Sequence, residues 1–103
     1  MIRNWINIRR QNSNALRKVA DCIAKEFEVL SYAALSDPSQ PLSYKKIIDG
    51  IEVHWTVDVI RRRPNGDIMV EMNFYSTAPT FWGKPSHVFW MRKDGSLIDS
   101  TSN

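Results

Sequence analysis

Acidic residues are missing from the first twenty positions, cysteine occurs once, histidine twice and glycine four times, and no long apolar run occurs anywhere. Each shortage excludes something. The lone Cys22 rules out an internal disulfide framework and a cysteine-only zinc site, and it suits a reducing compartment, so a cytoplasmic location is expected. His54 and His87 stand 33 positions apart, without the closely spaced ligand pairs that zinc sites use, so neither a metal nor a cofactor is expected. The four glycines, at 50, 66, 83 and 95, are isolated from one another, which excludes a glycine-rich phosphate cradle. No stretch approaches the roughly 20 apolar residues of a membrane span, and the N-terminus has no apolar core followed by small residues, so neither a membrane partner nor a secretory leader is expected.

The remaining composition is that of a globular chain: of 103 residues, 43% are hydrophobic, 11% aromatic and 24% charged. That length fits one domain and is short for two, so residues 1–103 are read as a single unit. Net charge is +3 and unevenly spread. Residues 1–20 carry five bases and no acid, residues 21–60 are net −4, and residues 61–103 are net +2. Such asymmetry can attract an anionic partner, although +3 is also ordinary for a small domain.

Two hydrophobic periods divide the chain. Leu16, Val19, Ala20, Ile23, Phe27 and Leu30 form one stripe at a 3.6-residue period, predicting a helix over 13–36. Ser13 or Asn14 is the expected N-cap, and the end is expected by Asp37-Pro38, because the residue before proline avoids the α region. Residues 1–12 form a basic segment read as a separate short helix that packs Trp5 on the domain.

From Leu42 the period becomes 2, predicting an antiparallel sheet over 42–99 with a loose tail at 100–103. Ser43–Ile48 is the first strand. Asp49-Gly50 signals a tight hairpin. Ile51, Val53, Trp55, Val57 and Val59 then alternate with polar residues, and Pro64-Asn65-Gly66 turns the chain again. Ile68, Val70, Met72 and Phe74 mark the third strand, His87–Arg92 a fourth, and Leu97-Ile98 a fifth after the Asp94-Gly95 turn. The expected fold is therefore α+β, one main amphipathic helix packed on a four- to five-stranded antiparallel meander. This layout is similar to that of cystatin-like folds, in architecture alone, and architecture does not carry function.

A cysteine nucleophile would need Cys22 beside His54 or His87 with Asp58 or Glu52. Cys22 instead adjoins Ile23 on the core stripe and is read as a small, inert, buried hydrophobe. Glu52, His54 and Asp58 share a strand face, but they read more simply as a solvated sheet surface than as metal ligands. No catalytic residue is expected.

Two binding readings remain. If the helix covers the face carrying Val53, Trp55, Val57, Val70 and Met72, the opposite face and the loop beside it bring together His54, Asp58, Glu71, Tyr75, Phe81, Trp82, Trp90 and Arg92. That mixture of aromatics, arginine and acids is typical of protein interfaces. The preferred expectation is a small non-enzymatic protein-binding module whose partner is another protein or a second copy. An immunity-type inhibitor of a toxin domain is one such use. The alternative is a nucleic-acid-associated domain, using Arg9, Arg10 and the hairpin-tip run Arg61, Arg62 and Arg63, with Phe81-Trp82 stacking on an unpaired base.

Overall fold

The computed structural model describes residues 2–48, 50–62, 64–80 and 84–98. The elements run α1 (Ile2–Glu28), α2 (Tyr32–Ser36), β1 (Ser43–Ile48), β2 (Ile51–Arg62), β3 (Ile68–Ser76), β4 (Ser86–Met91) and β5 (Leu97–Ile98). All five strands pair antiparallel in sequence order, giving one helix-covered meander and the α+β layout expected.

The helical part differs from expectation at both ends. α1 starts at Ile2 and runs unbroken for 27 residues, so Ser13 and Asn14 lie in its interior and do not cap it. Nearby, Asn12 Nδ2 donates to the Pro79 carbonyl at 2.8 Å, fastening the helix to the segment after β3. Its first turn contains no acid to offset the helix dipole. At the other end the helix does not continue to residue 36. Ser31 takes an extended conformation, and its Oγ accepts from Ala34 N at 3.1 Å, capping α2 as a new helix. The stop at Asp37-Pro38 is as expected. The Asp37 carboxylate accepts from the backbone N–H and the hydroxyl of Ser39, which holds its carboxyl below the usual range.

The core lies between α1 and one sheet face. Leu16, Ala20, Ile23, Ala24 and Phe27 of the helix are buried against Val53, Trp55, Val57, Ile68, Val70, Met72, Phe74, Phe89 and Met91. Trp55 stacks on Tyr44 with ring centres 5.2 Å apart, and Phe27 meets Tyr44 edge-on at 5.6 Å. The helix is also held by Glu28, whose Oε1 lies 2.8 Å from His87 Nε2 on β4. Tyr32 Oη donates to the Gly66 carbonyl, tying α2 to the turn between β2 and β3. Gly66 has φ +94, and a Cβ there would run into the Lys93 side chain. A register shift between Val59 and Arg61 inserts one extra residue into β2, an irregularity that the apolar run around it conceals.

Only the second half of α1 has a core to cover. Upstream of Leu16 no described α1 residue is buried, and Trp5 remains 50% exposed. The expectation that Trp5 packs on the domain is therefore corrected. Residues 2–11 run past the sheet end, where Asn12 touches Pro79, and among the described residues the Arg9 guanidinium lies over Trp5, 3.9 Å above its ring. The radius of gyration, 15.8 Å, exceeds the ~13 Å of a compact chain this long.

Candidate protein-binding face

The second face of the sheet is built by parity. Because side chains alternate across a strand, the register that sends Val53, Trp55 and Val57 into the core sends Glu52, His54, Thr56 and Asp58 outward. The same register aligns Met69, Glu71, Asn73 and Tyr75 of β3 with them, and Val88 and Trp90 of β4 continue the row. No described element covers this face. Exposed apolar groups sit on it, with Ile47 69%, Val88 47% and Tyr75 40% exposed, beside half-buried Met69 and Trp90.

Its contacts form two groups. At the end nearest the β1–β2 turn, His54 and Tyr75 are cross-strand partners with stacked rings 4.9 Å apart. His54 Nε2 donates to Glu52 Oε1 at 2.8 Å, Lys45 Nζ lies 4.0 Å from the same oxygen, and Lys84 Nζ sits 5.6 Å from the Tyr75 ring. Farther along, Asp58 faces Glu71, which faces Val88, and Met69 faces Trp90. Asn73 Nδ2 donates to Glu71 Oε1 at 3.0 Å, and no cation pairs with Asp58 or Glu71 among the described residues.

Thus His54, Asp58, Glu71, Tyr75 and Trp90 share one continuous surface. Arg92 is exposed just beyond β4, where its Nη1 donates to Ser96 Oγ at 3.4 Å within the turn before β5. Phe81 and Trp82 lie outside the described residues. Ile47 and Lys45 are additions that sequence reading missed, because SYKKII has no clean alternation and only pairing with β2 reveals which side each residue takes.

Basic groups are distributed differently. Arg9 and Arg10 lie within α1, not before it, near the end of the sheet marked by Asn12 and Pro79. Arg61 and Arg62 end β2 at the opposite end, in register with Met69 and Ile68. Nine β2 positions separate Val53 from Arg62, a span of roughly 30 Å along the strand. The two clusters are not brought together, and Arg63 lies outside the described residues.

Cys22 is exposed, which corrects its expected burial. Ile23 and Ala24 face the core, and one step of about 100° carries Cys22 to the flank, beside Lys18, Glu26 and Lys46 in a shallow groove between α1 and β1. No histidine lines that groove. His54 is on the opposite face of the sheet, and His87 is engaged with Glu28. The described residues contain no group of three His, Cys, Asp or Glu side chains able to hold a metal ion, and no described helix is long and apolar enough to cross a membrane. Comparison with protein-family models, with curated proteins and with solved structures finds no match.

Proposed function

We propose that this chain is a small, non-enzymatic protein-binding module working through the open sheet face. One observation carries the reading: the sheet face that bears Ile47, Tyr75 and Val88, each at least 40% exposed, has no described cover. Aromatic and aliphatic side chains interspersed with charged ones on an uncovered face are the residue mixture that protein interfaces use. The carboxylates of Asp58 and Glu71, opposite each other with no cation paired to either among the described residues, add support, since like charges directly across a strand pair are destabilising. A partner that supplies a cation offsets that cost. Within this class, use as an immunity-type inhibitor of a toxin domain rests on the chain's size and simplicity. With a net charge of +3, such an inhibitor would suit a neutral or acidic target better than a basic one.

The test is equilibrium binding to the partner recovered from the source cells. Tyr75→Ala and Trp90→Ala are each expected to weaken binding by about 2 kcal/mol or more, as truncated interface anchors do. Arg61→Ala is expected to change it little. The reverse pattern, with a steep loss between about 50 and 200 mM salt, would overturn the reading in favour of a nucleic acid.

A further inference from the structure

Positive charge on α1 gathers on its solvent side. Asn14 and Lys18 stand two positions before and after the buried Leu16, about 200° round the helix from it. Asn7 and Gln11 extend that row at spacings of four and three, and Arg10 and Arg17 flank it. All six side chains are exposed, and none is apolar or acidic. Residues 1–20 hold five bases and no acid, so Asp21 is the first carboxylate on the helix. No carboxylate pairs with Arg10, Arg17 or Lys18 among the described residues. Lys18 also shares a shallow groove with Lys46 of β1 and with Glu26.

Helix stability does not account for this composition. Asn4, Asn7, Asn12 and Asn14 are poor helix formers, and the first turn carries no acid to favour the helix dipole. What the row does supply is positive charge and hydrogen-bond donors at helical spacing. Arginine, lysine, asparagine and glutamine are the residues that contact phosphate oxygens and the edges of guanine and adenine. We infer that the outer side of α1, led by its projecting half, binds double-stranded DNA in the major groove. This surface lies across the sheet from the open face, so the inference does not rest on that face receiving a protein.

Shape and charge both suit this ligand. The row from Asn7 to Lys18 covers eleven residue steps, about 16 Å. Residues 2–11 stand clear of the sheet end, so this part of α1 can enter a groove about 12 Å wide before its own domain meets the duplex. Arg10 is exposed on the outer side, and Arg9 lies on the underside over Trp5. Cations on two sides of one helix match a groove with phosphates along both walls. A protein partner is matched less well, because interface centres are aromatic and apolar and this row has no apolar member. A lipid surface would have to reach Trp5 on the underside, and it meets the sheet end first. An A-form RNA duplex has a major groove too deep and narrow for side chains to read.

The experiment is fluorescence anisotropy of a short labelled DNA duplex, titrated with the full chain across a salt series. Wild type is expected to bind with a Kd of about 1–100 µM near physiological salt. Its log K is expected to fall against log salt with a slope of roughly −3 to −4, as Arg9, Arg10, Arg17 and Lys18 would give by neutralising four phosphates. Arg10→Gln/Arg17→Gln is expected to flatten that slope by about 2 and to weaken binding about tenfold at ~50 mM salt. Asn7→Ala/Asn14→Ala favours the helix, so a loss there does not come from unfolding, and about threefold is expected. Tyr75→Ala, on the open face, is expected to bind DNA as wild type does, which separates this inference from the protein-binding reading. Absence of binding at ~50 mM salt, an unchanged slope in Arg10→Gln/Arg17→Gln, or loss of binding in Tyr75→Ala overturns the inference. Equal binding to an RNA duplex, or preference for anionic vesicles, overturns it as well.

Discussion

Asp58 and Glu71 stand directly opposite each other in the β2–β3 register, two carboxylates on the uncovered face with no cation paired to either among the described residues. Stability alone does not favour that arrangement. Glu71→Gln keeps an oxygen to accept from Asn73 and removes the like-charge opposition, so it is expected to raise stability by about 0.2–1 kcal/mol. The same variant is expected to bind the partner more weakly. Urea denaturation and a binding titration on one preparation check both. A variant that loses stability, or gains stability and binds as well as wild type, would separate this carboxylate pair from function.

Phe27 joins helix to sheet. It is buried, and its ring meets Tyr44 edge-on. Phe27→Ala is expected to cost about 3–5 kcal/mol, a large part of the roughly 5–15 kcal/mol available to a domain of this size. The check is the urea midpoint. Agreement with wild type would mean that the α1 stripe does not hold the sheet.

Cys22 is an exposed thiol on the flank of α1. It is expected to react completely with a thiol reagent under native conditions. Cys22→Ala is expected to alter stability by no more than about 0.5 kcal/mol, as surface substitutions usually do. Protection of the thiol that disappears only in denaturant would show that α1 is rotated from the orientation described.

The sheet was more legible in the sequence than the helix ends. Val53, Trp55 and Val57, then Ile68, Val70, Met72 and Phe74, alternate strictly, and strict alternation with one buried face leaves a strand a single register. His54, Asp58, Glu71 and Tyr75 followed by parity, and the structure sets them side by side. Ser13 misled because an N-cap residue signals a start only where the chain arrives in a non-helical conformation, whereas here the same stripe already passes through Trp5 and Arg9. Cys22 misled through its neighbour, since adjacent helical positions differ by about 100° and burial at Ile23 says little about residue 22. Ile47 was missed because its exposure depends on which β1 residue faces Glu52, a pairing fact absent from local spacing.

The central claim, that the open face receives a protein, is tested most directly by a photo-reactive benzophenone side chain placed at Tyr75, with the same group at Lys25 on the outer side of α1 as control. After illumination in the source cells, the group at 75 is expected to give a discrete covalent adduct with a protein, and the group at 25 none. No protein adduct from 75, or equal adducts from both positions, would contradict the claim.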